Sequence, residues 1–340
     1  MTSSPSRIPV TLLTGYLGSG KTTRLNAILR DPRFGDSAVI VNELGDIGLD
    51  HLLIAKSEDN VVLLNSGCLC CAMMGSFKDT LADLVERRGC GDVPAFGRVF
   101  IETTGLADPA PIMQSLLRDG FVSHFYRLER VVTTFDALLG LATLDKHREA
   151  SKQVAVADQI LLTKTDLTGG ACPPALMARL RSLNPTARID ALAPGAVPDF
   201  VDVTELRELP ASHDHSHDDE EHDHHDHTIA AQSFVIDHPV TWAGLAGWTD
   251  LVRESFGDRL LRCKGLIEID GRPVLVQGVQ KVFSPPEKLP AWPSADRRSR
   301  LVCITQGIAA VDVAASLEAL KAEPGTFRPT SIAELTAVAS

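Results

Sequence analysis

Short apolar, β-branched runs punctuate the first half of the chain: Pro9–Leu13, Ala38–Val41, Val61–Leu64, Val99–Ile101, Val131–Thr133 and Ile160–Leu162. Their apolar positions are consecutive rather than alternating. That pattern suits strands buried on both faces of a mainly parallel sheet. Amphipathic stretches lie between them, among them Thr22–Arg30, Phe77–Arg88 and His147–Ala157. The alternation predicts a doubly wound α/β domain.

The pattern breaks near Pro194, Gly195 and Pro198 and resumes differently after Thr228. Ile229–Ile236 reads as a strand. Trp242–Phe256 reads as an amphipathic helix with Leu245, Trp248, Val252 and Phe256 near one face. Leu260–Ile269, Pro273–Val279 and Arg300–Thr305 read as strands, and Ala309–Leu320 as a last helix. Several strands with two helices predict a smaller α+β domain. No internal repeat is visible.

The break itself changes the electrostatic picture. The 340-residue chain carries a formal charge of −11, and His213–His227 holds seven acids, seven of the eleven histidines and no Lys or Arg. Without that run the charge is −4, so the folded parts are only mildly acidic. The balance argues against a nucleic-acid partner held on a broad basic face. No run of about 18 apolar residues is present to span a bilayer, and Met1–Val10 lacks the apolar core of a secretory signal. The expected setting is therefore cytoplasmic, with no membrane partner. Seven cysteines, three of them crowded at Cys68, Cys70 and Cys71, point in a reducing compartment to metal or redox chemistry. Cys90, Cys172, Cys263 and Cys303 read as isolated and structural.

Gly15-Tyr16-Leu17-Gly18-Ser19-Gly20-Lys21-Thr22 matches the phosphate-binding pattern G-x-x-x-x-G-K-[ST], between an apolar run and a helical stretch. The glycines let successive backbone N–H groups turn inward around phosphates. Lys21 is the candidate to bridge the β- and γ-phosphates and Thr22 to ligate Mg²⁺. Downstream, Ile160-Leu161-Leu162 runs into Thr163-Lys164-Thr165-Asp166, similar to the N-K-x-D guanine motif with Thr163 in place of Asn. A carboxylate at Asp166 can accept from guanine N1–H and its exocyclic amine together, a pairing adenine does not offer. The Lys164 stem is expected to lie along the base.

Arg98–Gly105 is an apolar strand ending in an acid and a glycine. Glu102 is the candidate to hold the Mg²⁺ shell or orient the attacking water, and Gly105 to donate its N–H to the γ-phosphate. A second strand-then-loop segment, Val39–Asp50, supplies Glu43, Asp46 and Asp50 and suits a loop that senses the γ-phosphate through the metal. Cys68 and Cys70, two apart, point the same way along an extended segment, and a bend brings in Cys71. Thiolates suit Zn²⁺ and other borderline or soft ions, with Glu43 available to complete the set. The candidate ligands of looser, multi-site binding are His213, His215, His217, His222, His224, His225 and His227, interleaved with acids in a flexible linker.

Together, Gly15–Thr23 (GYLGSGKTT), VNELGDIGLD, GCLCC, ETTG, TKTD and the His-rich linker resemble the CobW-type P-loop GTPases over nearly the whole chain. The later segments Leu261–Gly265, Gly278–Gln280, Leu289–Pro293 and Arg297–Leu301 are similar to that family's C-terminal domain. The resemblance implies a G domain related to the nickel-insertion GTPases of urease and hydrogenase. It places the nucleotide contacts at Gly15, Gly18, Ser19, Gly20, Lys21, Thr22, Thr23, Thr163, Lys164 and Asp166, and the metal motif at Cys68, Cys70 and Cys71. It implies GTP/GDP, Mg²⁺ and a transported ion, Zn²⁺ or else Co²⁺ or Fe²⁺. The partner would be a client metalloprotein that receives the ion, with the chain a monomer or a homodimer. The expected division is a P-loop GTPase domain at 1–210, a metal-binding linker at 211–228, a C-terminal α+β domain at 229–325 and a tail at 326–340. The expected activity is GTP hydrolysis coupled to metal affinity. The alternatives are a regulatory GTPase acting on a protein partner without metal transfer, and a passive His-rich metal store.

Overall fold

The computed structural model describes residues 7–41, 51–55, 61–65, 73–200 and 228–322, with backbone alone at 51–55, 61–65 and 73–76. Glu43, Asp46, Asp50, Cys68, Cys70, Cys71 and the seven linker histidines lie outside the described residues. The chain forms two compact units. One comprises Met1–Leu180 and Ala187–Val203, the other Arg181–Thr186 and Thr204–Ser340.

The first unit contains β1 (Ile8–Thr14), α1 (Lys21–Arg30), β2 (Ser37–Val41), β3 (His51–Ala55), β4 (Val61–Asn65), α2 (Met73–Cys90), β5 (Arg98–Glu102) and α3 (Ala110–Arg118). It continues with α4 (Val122–Phe125), β6 (Tyr126–Asp136), α5 (Gly140–Lys146), α6 (Arg148–Ala155), β7 (Gln159–Thr163), most of α7 (Pro174–Leu183) and β8 (Arg188–Ala191). The eight strands lie in the order β4-β3-β2-β5-β1-β6-β7-β8. The six from β2 to β8 are parallel; apolar runs predicted all of them but β8, and these runs are buried at every position of β7 and at all but Pro9 in β1. This is the doubly wound P-loop architecture. On one face α1 sets Leu25 and Ile28, three apart, into a core with Leu13, Val39, Phe100, Val132 and Leu161. Phe34 joins it edge-on to Phe100 at 5.9 Å.

The strand order has a mechanical consequence. Strand β1 lies between β5 and β6, the point where the chain's progress across the sheet reverses, and ligands of open α/β sheets bind beyond the strand ends at such a point. The register extends that edge further. Leu13 pairs with Glu102, Glu102 with Val41, Val41 with His51 and His51 with Asn65. The residue before segment 42–50, the residue after it and the residue before segment 66–72 thus stand in one row with Glu102.

Some elements differ from the sequence expectation. Val61–Leu64 is a strand and runs in the same direction as the six, but a strand not expected from the sequence, β3, lies antiparallel between it and β2, and β8 was not expected either. An antiparallel neighbour does not require the crossover helix that marks a parallel one, so the alternation of strand and helix gives it no signal. The helix expected over His147–Ala157 begins one residue later, and His147 is the extended joint between α5 and α6.

The second unit is antiparallel: β9 (Ile229–Ile236), α8 (Trp242–Ser255), β10 (Leu260–Ile269), β11 (Arg272–Val279), β12 (Val282–Phe283), β13 (Glu287–Lys288), β14 (Ser299–Gln306) and α9 (Ala310–Ser316). Five strands follow the order β12-β11-β10-β14-β9, with β13 beside β11. Thr241 caps α8 by accepting from the Gly244 amide at 3.0 Å. A Cβ at Gly244 would stand 2.2 Å from the Leu320 carbonyl oxygen, so this close packing requires glycine. Trp248 is wholly buried among Leu245, Leu251, Ile267, Val276 and Val313, its indole donating to Ser316 Oγ at 3.2 Å. Cys263 and Cys303 are not isolated, as the sequence suggested. They face each other across β10 and β14 in the same core, where burial and the neighbouring thiol push the Cys263 thiol well above its usual range. They act there as small apolar residues. Trp248→Ala is expected to destabilise this unit by about 3–5 kcal/mol, measured as a shift in its denaturant midpoint; a loss below about 1 kcal/mol would show that the indole does not hold the core.

Candidate functional site

The first loop follows β1 and turns into α1 through three glycines in conformations that side chains resist: Gly15, Gly18 and Gly20 have φ of 144°, 71° and 89°. Gly15 is also confined by space. A Cβ there would lie 2.4 Å from the Thr134 carbonyl oxygen and 2.5 Å from its hydroxyl. The loop therefore rests directly on β6. Thr134 Oγ1 donates to Thr14 O at 3.4 Å and shares a 2.7 Å hydrogen bond with Ser19 Oγ. Lys21 is buried, and its Nζ crosses the loop to the carbonyls of Gly15 at 2.9 Å and Tyr16 at 3.3 Å. Helix α1 opens on Gly20 with no side-chain cap, the form of a helix N-terminus that receives phosphate. Farther along, Arg24 donates to the carbonyls of Ala193 and Ala196 and ties α1 to the segment after β8. Thr23 is exposed on the first turn.

Glu102 ends β5 almost fully buried, and Thr22 Oγ1 donates to its Oε1 at 2.7 Å. The structure thus brings together a hydroxyl and a carboxylate that stand 80 residues apart in the chain. Thr103 fixes the turn that follows: its amide donates to Leu13 O at 3.0 Å and its hydroxyl to Thr14 Oγ1 at 2.9 Å. Gly105 then passes the tip of the first loop, where a Cβ would meet the Leu17 backbone at 2.7–2.8 Å. The glycine that sequence reasoning selected is thus required sterically.

On the other side of β1, Thr163 ends β7. Its hydroxyl donates to Ser19 O at 2.8 Å and lies 3.2 Å from Phe135 O. A threonine therefore fastens this segment to the phosphate loop with one short hydroxyl. Lys164 follows in the left-handed conformation, φ 55°, and leads into a 3-10 turn at Thr165–Thr168 with Asp166 exposed in it. The Lys164 ammonium is 2.6 Å from Asp136 Oδ2 at the end of β6. Burial pushes the Asp136 carboxyl up, but Lys164 and the Leu139 and Leu138 amides outweigh it and hold the group below the usual carboxylate range.

Thr134, Asp136, Gln153 and the Tyr16–His147 stack were not among the sequence candidates. Asp136 ends the strand begun by Val131–Thr133, the same signal that singled out Glu102. The others carry no local signature. Among the described residues, no group of three or more His, Cys, Asp or Glu is placed to hold a metal ion. No described helix is long and apolar enough to cross a membrane.

A glycine cradle between strand and helix, a buried lysine across it, and a Thr–carboxylate pair beside it define a P-loop nucleoside triphosphatase. The chain belongs to the CobW family of GTPases: residues 9–190 match the CobW/HypB/UreG nucleotide-binding domain and 229–321 the cobalamin synthesis protein cobW C-terminal domain. It is 33% identical over 288 residues to the zinc chaperone YjiA of Escherichia coli, covering 82% of this chain and 87% of that one. It is 29% identical over 352 residues to the zinc chaperone CobW of Pseudomonas aeruginosa, covering 88% of each. The crystal structure of zinc-bound YjiA GTPase from E. coli superposes with a TM-score of 0.69 at 27% identity, over 93% of this chain and 100% of that one.

Asp166→Ala is expected to weaken GDP binding roughly ten- to a hundredfold while leaving adenine-nucleotide binding unchanged. Competitive titration with a fluorescent guanine nucleotide measures both. Equal losses for the two bases would remove Asp166 from base recognition.

Proposed function

We propose that this protein is a cytoplasmic, GTP-driven zinc chaperone that binds its cargo at Cys68, Cys70 and Cys71, with Glu43, and passes it to a client metalloprotein. The observation that carries the reading is the strand register. Glu102, Val41, His51 and Asn65 occupy one row of the sheet. At about 4.8 Å between strands, the chain departs toward Cys68 from a point roughly 14 Å from Glu102. It departs toward Glu43 from the strand next to Glu102. A change at the phosphates therefore has a short route to both segments. The zinc chaperones to which the chain is similar support zinc as the cargo and delivery as the purpose.

The nucleotide half of the cycle follows from the cradle. Lys21 Nζ is positioned to turn from loop carbonyls to the β- and γ-phosphate oxygens. The loop amides receive the remaining phosphate charge. Thr22 Oγ1 and Glu102 Oε1, 2.7 Å apart, are hard oxygen donors that fit Mg²⁺, Thr22 as a ligand and Glu102 through its water shell. When bound, the ion offsets the charge of the triphosphate. Gly105 donates its N–H toward the γ-phosphate. Phosphoryl transfer is chiefly a matter of positioning and electrostatics, and with Lys21 as the cation in the motifs intrinsic turnover is slow until a partner adds to it. The cysteines bind zinc as thiolates, so capture releases protons and weakens as pH falls. Hydrolysis frees the γ-phosphate-ordered segments and loosens the grip.

Metal titration against a chelator of known strength tests this. Zinc affinity is expected to be higher with a non-hydrolysable GTP analogue than with GDP or no nucleotide, by roughly ten- to a hundredfold. Equal affinity in all three states would end the coupling. Cys70→Ala should abolish tight zinc binding and leave GTP binding intact; loss of both would make the cysteine structural.

A further inference from the structure

The turn that carries Gly105 is held from outside the phosphate motifs. Gln153, on α6, is wholly buried. Its Nε2 donates to Gly105 O at 3.2 Å and to Ala107 O at 3.1 Å, which uses both protons of the amide. The Gln153 main-chain carbonyl accepts from Thr133 Oγ1 of β6 at 2.8 Å, so the helix is itself anchored to the sheet at that residue. Its neighbour Lys152 reaches Asp108 Oδ2 at 3.3 Å. Gly105, Ala107 and Asp108 are therefore tied to adjacent positions of one helix. At the start of that helix the His147 ring stacks on Tyr16, centroids 4.5 Å apart and planes 22° from parallel. The Tyr16 carbonyl accepts from Lys21 Nζ and from the Ser19 amide. One helix, with the joint before it, thus holds both the phosphate loop and the turn of Gly105.

These contacts leave the turn little freedom. Thr103 is bonded to β1 before it, the Ala107 amide closes it on Thr104 O at 3.2 Å, and Gln153 pins it after Gly105. Gln153 Oε1 has no hydrogen-bond partner among the described residues. Burying that oxygen is a cost that methionine, of similar length, would not carry. What the amide supplies and methionine does not is the hold on the two carbonyls.

We propose that Gln153 is a positioning residue for GTP hydrolysis: it sets the Gly105 amide against the phosphate loop and makes α6 part of the element that distinguishes GTP from GDP. The proposal rests on the reading of Gly105 as the γ-phosphate donor. GDP lacks the group that Gly105 addresses, so the two nucleotides separate positioning from simple support of the fold.

The test is full-length Gln153→Met, assayed for turnover and for affinity toward GDP and a non-hydrolysable GTP analogue. The expected result is a kcat lowered roughly tenfold or more. Analogue affinity should fall with it, while GDP affinity stays within about twofold. Unchanged kcat, or equal losses for both nucleotides, would overturn the proposal. Gly105→Ala in parallel separates the two readings. If it abolishes turnover and Gln153→Met does not, the role of Gln153 alone fails. If neither changes turnover, the role assigned to Gly105 fails first. Hydrogen exchange on the unmutated protein gives a readout that survives a poorly folding variant. Segments 103–108 and 148–155 should gain protection together with the GTP analogue relative to GDP, and no gain in 148–155 would overturn the proposal.

Discussion

The nucleotide unit depends on how closely the first loop lies on β6. Only a residue without a Cβ can pass the Thr134 carbonyl at the distance Gly15 keeps. That closeness brings Ser19 within reach of Thr134 and of the Thr163 hydroxyl on the next strand. Each of these bonds contributes only about 1 kcal/mol net, but a buried hydroxyl left unpaired costs more than that. The loop is thereby held to one shape, with its lysine laid across it. A cradle already in position spends less of its binding energy on ordering itself.

The second organising feature is the shared edge of a parallel sheet. Strands β1, β2, β5, β6 and β7 all deliver their last residues to the same side, so Thr14, Val41, Glu102, Asp136 and Thr163 become neighbours. The site is assembled from strand ends: the Thr14 and Thr163 hydroxyls fix the loops, and the Glu102 and Asp136 carboxylates meet Thr22 and Lys164. The antiparallel pair β3–β4 extends the same edge away from the phosphates. A γ-phosphate can alter distant cargo affinity only through contacts that differ between two states. The row from Glu102 to Asn65 is the feature of the sheet on which the proposed coupling rests.

Helix α6 is a support of another kind, packed beside the turn after β5. It carries no motif, yet Gln153, and His147 in the joint before it, touch the turn of Gly105 and the glycine loop. Such a residue is invisible to motif reasoning because its partners stand 48 and 46 positions away and are main-chain carbonyls, which any residue could present.

The sequence by itself determined what is local. The cradle was legible because a phosphate nest needs closely spaced glycines followed by lysine and threonine. The central parallel strands were legible because burial on both faces favours apolar runs, which the half-buried β8 lacks, and Leu260–Ile269 was legible to its ends although Arg262, Lys264 and Glu268 interrupt it. Glu102 was legible as the polar residue closing such a run. The tertiary structure decided the rest. It chose antiparallel pairing for β3 and β4, made His147 a joint rather than a helical residue, and set Cys263 opposite Cys303. It also gave Gly105 its keeper in Gln153 and Lys164 its partner in Asp136. These are pairings between distant segments, and they follow from strand order and register. An apolar pattern specifies which residues are buried, but not which other segment buries them.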